Sequence, residues 1–125
     1  MANRISTAVV MANGVATTYR RWGSGPTVVL LGVSDDIALA LGAAYRVIVP
    51  DVPLHFSEPG AAGWLCGVYD GLGIAEATIV TTPALRDAAL SVARDAPDRV
   101  KGVIIADAST VDPDELRTAV EQSFG

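Results

Sequence analysis

The side chains of this sequence that could do chemistry are few and widely spaced. There is one imidazole, that of His55, and one thiol, that of Cys66, among 125 residues. The hydroxyl groups that we consider as nucleophiles belong to Ser34, Ser57 and Thr82, which come from three different stretches of the chain. A hydroxyl attacks well only when a general base lies within hydrogen-bond reach. Any catalytic site of this kind therefore depends on the fold bringing His55 to one of these groups.

Composition disfavours several other kinds of site. A single cysteine allows no intrachain disulfide, and a single histidine disfavours a histidine-rich metal centre. The formal net charge is −5 and the sequence has no basic cluster, which disfavours binding to nucleic-acid phosphates. We therefore expect no metal, no cofactor and no nucleic-acid partner.

Hydrophobicity indicates a packed domain rather than a disordered or membrane-spanning chain. Half of the residues are hydrophobic, which favours a globule with a core. No apolar run approaches the roughly 20 residues that cross a bilayer, and the N-terminal residues lack the apolar centre of a signal peptide. From these patterns we expect a cytoplasmic protein without a membrane partner.

The elements that must position these side chains alternate along the chain. Asn13 and Gly14 form the strongest short signal for a hairpin turn, and continuous apolar runs indicate strands that are covered on both faces. The pattern predicts strands at 5–11, 15–22, 27–31, 46–49, 77–80 and 101–106, and helices at about 34–45, 61–72, 83–96 and 112–124. Alternating strands and helices predict parallel pairing with right-handed crossovers.

The stretch from Thr81 to Leu85 lies between a buried strand and an amphipathic helix, where many α/β enzymes hold a nucleophile. Thr82 is placed to cap the helix and Pro83 suits its first position. We expect Cys66, in the middle of the preceding helix, to be a buried and inert thiol.

Three stretches carry a family resemblance: NGVATTYRRWGSGPTVVLLG, YRVIVPDVPLHFS, and GLGIAEATIV followed by ARDAPDRVKGVIIAD. Together they resemble the opening hairpin, the first central strands and the nucleophile strand of the α/β-hydrolase fold superfamily. The resemblance covers nearly all of residues 1–125 and implies one domain. It implies a three-layer α/β/α sandwich around a mostly parallel six-stranded sheet with an N-terminal antiparallel hairpin.

The departures from the family pattern concern catalysis. Gly32 and Val33 stand where the family has a His-Gly pair that helps to build the oxyanion hole. In the nucleophile elbow, G-x-S-x-G, small residues allow a sharp turn that presents the serine. Here Pro83 stands at the serine position and Leu85 at the second glycine. Proline has no nucleophilic atom, and its ring fixes φ near −65°.

The end of the sequence suggests a truncated member of the family. Only a short segment follows Asp107, so we expect the strands that carry the acid and the histidine of the triad to be missing. The strand predicted between Lys101 and Ala106 would then be an apolar edge, which invites pairing with another chain. We expect a homodimer through this edge or the adjacent helices.

These observations leave three hypotheses for function. The first is a non-catalytic α/β-hydrolase-like protein that binds itself, another protein or a small apolar ligand at the C-terminal edge of the sheet. The residues expected to line that edge are Gly32, Val33, Ser34, Thr81, Thr82 and Pro83.

The second hypothesis is a weak esterase or thioesterase with a rebuilt site. Ser34, Ser57, Thr82 or Cys66 would attack with the help of His55, in one chain or across a dimer interface. The third is a fragment completed by a partner chain, against which Pro83 argues because the completed site would still lack its nucleophile.

Overall fold

The computed structural model describes residues 6–12, 14–32, 41–42, 45–51, 60–106 and 113–123, and all structural statements concern these residues. The strands are β1 (Ser6–Ala12), β2 (Val15–Trp22), β3 (Thr27–Leu31), β4 (Arg46–Pro50), β5 (Ala77–Thr81) and β6 (Val100–Ile105). The helices are α1 (Gly60–Leu72), α2 (Arg86–Asp95) and α3 (Pro113–Ser123), and a 3-10 turn, Pro83–Leu85, precedes α2.

The six strands form one sheet in the order β1-β2-β4-β3-β5-β6. The β1–β2 hairpin is antiparallel and joins β4 in antiparallel fashion, whereas β4, β3, β5 and β6 run parallel to one another. This confirms the predicted mostly parallel sheet with an N-terminal hairpin at its edge. The short helix predicted at 34–45 lies largely outside the described residues.

Helices cover both faces of this sheet, so the architecture has three layers. Alternate residues of a strand point to opposite faces, and in β3 Val29 and Leu31 pack in one core while Val28 and Leu30 pack in the other. The first core includes the inner sides of α1 and α2. The second core includes Leu116 and Val120 of α3.

Close packing of α3 on the sheet depends on Gly102 in β6. A Cβ atom at Gly102 would lie 3.1 Å from the Cβ atom of Ser123. The Ser123 hydroxyl lies 2.5 Å from Thr78 Oγ1 and donates to the Val120 carbonyl, also at 2.5 Å. The end of α3 is therefore held over β5 and β6 by a hydroxyl pair that a larger residue at position 102 would push away.

On the opposite face, Arg99 joins the turn before β6 to the end of α1. Its guanidinium donates to Asp70 Oδ1 at 2.6 Å and to the Ile74 carbonyl at 3.0 Å. It also lies 5.3 Å from the centre of the Tyr69 ring, within cation–π range. These contacts fix the turn that leads from α1 into β5, the strand that ends at the candidate site.

No helix within the described part of the chain has the length and apolar character needed to span a bilayer.

Candidate functional site

The candidate site is the edge of the sheet where β3 and β5 end side by side. Leu31 and Thr81 are register partners in the parallel pair, and the Thr82 N–H donates to the Leu31 carbonyl at 3.2 Å. These bonds continue the pairing to the first residue beyond β5, which places Gly32 beside Thr82. The predicted meeting of Gly32, Thr81 and Thr82 at one edge is therefore observed, whereas their role in ligand binding stays a prediction.

Gly32 makes the closest approach at this edge. Its φ is +72°, in the region that L side chains rarely adopt. A Cβ atom there would lie 3.3 Å from Thr82 Cγ2 and 3.7 Å from Leu85 Cδ1. The ends of the two strands are therefore packed directly against each other, and the Leu85 side chain occupies space near Gly32 that a glycine at position 85 would leave open.

The chain enters the turn after β5 in an ordinary backbone conformation. Thr82 has φ −73° and ψ 160°, an ordinary extended conformation. Pro83 then begins a 3-10 turn, in which the Leu85 N–H donates to the Thr82 carbonyl at 3.1 Å. A nucleophile elbow is a strained strand-to-helix turn that exposes its serine. In this chain the residue predicted at the serine position is Pro83, which begins the 3-10 turn.

The two threonine hydroxyls differ in what they can do. Thr81 is fully buried, and its hydroxyl donates to the Thr82 carbonyl at 3.1 Å. Thr82 is half-buried and occupies the N-cap position, yet its side chain makes no capping hydrogen bond. The predicted side-chain cap is therefore wrong, because the backbone carbonyl of Thr82 already accepts from the Leu85 N–H.

Several predicted site residues lie outside the described residues, namely Val33, Ser34, His55 and Ser57. The pairing of His55 with Ser57 or Thr82 thus stays a prediction. Of the predicted edge residues, Gly32, Thr81, Thr82 and Pro83 have described positions.

Cys66 is half-buried, which corrects the prediction of a buried thiol. It lines a groove between α1 and β1 together with Met11, Gly63 and Asp70. Gly63 and Gly67, which line the same groove, carry no side chain that could cover the thiol. Burial raises the pKa of the thiol and the Arg99 charge lowers it by less, so the net shift disfavours the thiolate at neutral pH.

The described part of the chain holds no group of three or more His, Cys, Asp or Glu side chains arranged to bind a metal ion.

Comparison with known proteins identifies the fold. No family model and no curated protein matches the sequence. Among solved structures, a putative hydrolase from Bacillus subtilis is 20% identical with a TM-score of 0.70 and matches 81% of this chain and 42% of its own. An epoxide hydrolase from Vigna radiata is 20% identical with a TM-score of 0.72, over 81% of this chain and 38% of its own.

A meta-cleavage product hydrolase from Pseudomonas fluorescens is 28% identical with a TM-score of 0.68, over 77% of this chain and 43% of its own. The chain therefore has the α/β-hydrolase fold and resembles hydrolases in structure. It spans less than half the length of these proteins.

Proposed function

We propose that this chain is a non-catalytic α/β-hydrolase-like protein that acts by binding. The proposal is supported by Pro83, which aligns in sequence with the position of the nucleophile and begins a 3-10 turn. A serine in an elbow supplies both the attacking oxygen and the geometry that presents it. Proline supplies neither. Both deficits belong to residues inside the described turn.

The contacts of the neighbouring residues support the same proposal. The Thr81 hydroxyl is buried and bonded to a carbonyl, and the Thr82 N–H is used by the Leu31 carbonyl. Leu85 approaches Gly32 in the space beside the turn. These groups are engaged in holding β3, β5 and α2 together, which is what a binding scaffold needs.

The direct test is turnover of a panel of acyl esters and thioesters of increasing chain length, with Thr82→Val as the matched variant. We expect no hydrolysis above the buffer rate with either protein. Thr82→Val replaces the hydroxyl by a methyl group of similar size, so the fold should survive. Turnover by the parent chain that is lost in Thr82→Val would overturn the proposal.

A second candidate is a weak esterase or thioesterase with a rebuilt site, alone or across a dimer. One observation favours it: the half-buried Thr82 hydroxyl lies at the edge of the sheet without a capping bond to hold it. The same panel tests it, since a His55→Gln variant should abolish any turnover that depends on the only imidazole.

For the mode of binding, we propose self-association of two copies through β6. This strand is at one end of the sheet formed by the described residues, and Ile105 is 44% exposed. Val103 and Ile104 are only half-buried. An edge strand offers unpaired N–H and C=O groups, and the same strand from a second copy can pair with it around a two-fold axis.

The matched variants for this test are Ile105→Glu on β6 and Val9→Glu on β1, the opposite edge strand, where Val9 is 63% exposed. Light scattering after size exclusion, over a dilution series, should give a dimer for the parent chain and for Val9→Glu. Ile105→Glu should be a monomer at the same concentrations. A monomeric parent chain, or equal behaviour of the two variants, would contradict pairing through β6.

A further inference from the structure

A cleft lies at the edge of the sheet opposite to the turn after β5. It encloses about 530 Å³, within the range of small-molecule sites. Its walls come from the turns and strand ends at the start of β3, β4, β5 and β6. Its lining includes Pro26, Thr27, Arg46, Ile74, Glu76 and Lys101. We refer to these six residues and the space between them as the basal cleft.

The charges of the basal cleft are unequally paired. Lys101 Nζ lies 3.2 Å from Glu76 Oε2, so these two charges largely offset each other. The Arg46 guanidinium makes no hydrogen bond or ion pair with any other described residue. The net charge of the cleft is therefore positive in a protein whose formal net charge is −5.

The other lining residues indicate which chemical class of anion the cleft could bind. Ile74, which is buried, and Pro26 contribute apolar groups to the lining. Thr27 is the register partner of Arg46 and brings a hydroxyl to the neighbouring strand end. A guanidinium binds a carboxylate through two parallel N–H donors. The carboxylate of Glu76 would repel a second negative charge on the same ligand.

We propose that the basal cleft binds a small monocarboxylic acid, with its carboxylate on Arg46 and its short hydrocarbon body over Ile74. Lys101, whose charge is offset by Glu76, lies on β6, which is three strand spacings, or about 14 Å, from β4. Two long side chains can both reach the middle of that span. This binding is independent of the proposed absence of catalysis, because the cleft and the turn after β5 lie at opposite edges of the sheet.

The test is a titration of the isotopically labelled chain with sodium butanoate at constant ionic strength, followed by amide chemical shifts. We expect saturable shifts confined to the amides of residues 25, 27, 46, 73–76 and 101. Sodium chloride and sodium phosphate should give no saturable shifts there, because chloride lacks the forked geometry and phosphate carries the additional charge that Glu76 repels.

Four variants of charged side chains distinguish the proposed binding from a general effect of charge. Arg46→Gln should weaken butanoate binding at least tenfold, and Glu76→Gln should strengthen it several-fold. Arg94→Gln removes an exposed cation of α2 outside the cleft and should leave the affinity within twofold. Arg46→Lys keeps the charge but loses the two parallel N–H donors. Its affinity for butanoate should therefore lie between those of the parent chain and Arg46→Gln.

Folding of these variants is checked by the unchanged amide spectrum away from the cleft, since the Arg46 backbone N–H keeps its bond to the Pro26 carbonyl. Linear shifts without saturation would overturn the proposal. So would shifts scattered over the surface, or an affinity that is equal in the parent chain and Arg46→Gln.

Discussion

At the scale of single residues, the proposed absence of a nucleophile in the turn after β5 rests on Pro83. Its effect could be predicted from the sequence because it follows from covalent structure: the ring removes a nucleophile and fixes φ. The hydrogen bonding of Thr82 at the N-cap was harder to predict. A threonine at an N-cap normally accepts from an N–H of the first turn, but here the backbone carbonyl of Thr82 takes that bond from Leu85.

Tyr69 offers a test of the energetics of a single polar group. It is 1% exposed, and its hydroxyl has no hydrogen-bond partner among the described residues. Tyr69→Phe removes this unsatisfied group while keeping the ring under Arg99, so we expect the free energy of unfolding to rise by about 1 kcal/mol. Urea unfolding measures this change.

A contrasting variant is Thr17→Val, which removes the buried acceptor of the Trp64 indole N–H at 2.9 Å. It should lower the free energy of unfolding by about 1–3 kcal/mol. A Tyr69→Phe chain that is destabilised as much as Thr17→Val would show that the Tyr69 hydroxyl is bonded.

The same tyrosine predicts a loss of stability at alkaline pH. Burial raises the pKa of Tyr69, and the Arg99 charge lowers it by less, so the net shift is upward. Above the ordinary tyrosine pKa of about 10, the unfolded chain loses this proton while the folded chain retains it. The stability contributed by the buried phenol is therefore complete below that pH and declines above it.

We expect the free energy of unfolding to fall more steeply between about pH 10 and pH 11 in the parent chain than in Tyr69→Phe. Urea titrations at several pH values measure both slopes. Parallel slopes for the two proteins would mean that Tyr69 does not contribute to the alkaline loss.

At the scale of elements, the sequence predicted most strands and helices because their patterns are simple. The buried runs of β3, β4 and β5 and the helical spacing on α1 leave little ambiguity. The start of α2 was less predictable. A proline at the first position suits both a 3-10 turn and an α-helix, so Pro83 does not distinguish between them. The basal cleft was missed because Arg46 and Lys101 are far apart in sequence and meet only through the sheet order.

Gly102 tests how α3 is docked. In an unobstructed strand, Gly→Val is favourable because valine suits the pleated surface. At position 102 a side chain would press on Ser123 and separate it from Thr78. We therefore expect Gly102→Val to lower the free energy of unfolding by about 1–3 kcal/mol, measured by urea unfolding.

Ser123→Ala supplies the control for this prediction. It removes the hydroxyl pair but keeps the Cβ atom that a side chain at position 102 would meet, so the Gly102→Val change should still be destabilising in that background. If Gly102→Val stabilised the protein, α3 would not be packed on β6 as described.

At the scale of the whole molecule, the order β1-β2-β4-β3-β5-β6 puts β6 at one end of the sheet formed by the described residues, and the turn after β5 lies next to that end. The three-layer fold could be predicted because hairpin signal, apolar runs and helical spacing agree with one another. The partner of the sheet edge could not be predicted. An edge strand pairs through its backbone N–H and C=O groups, and these are the same in every sequence.

Net charge provides a prediction for the proposed self-association. Two copies that each carry a formal charge of −5 repel one another at long range, and salt screens this repulsion. We expect the dimer dissociation constant to fall as sodium chloride is raised from about 0.01 to 0.3 M, measured by sedimentation or light scattering. Weakening by salt would indicate an interface built on ion pairs instead of the apolar strand β6.

The central claim, that this α/β-hydrolase fold lacks a working nucleophile, is tested most directly by the mass of the intact protein. The chain is incubated with a fluorophosphonate and with an activated acyl ester, and the intact mass is then measured. We predict the unmodified mass in both cases. A stoichiometric adduct that is absent in Thr82→Val, or that maps to Ser34, Ser57 or Cys66 and requires His55, would contradict the claim.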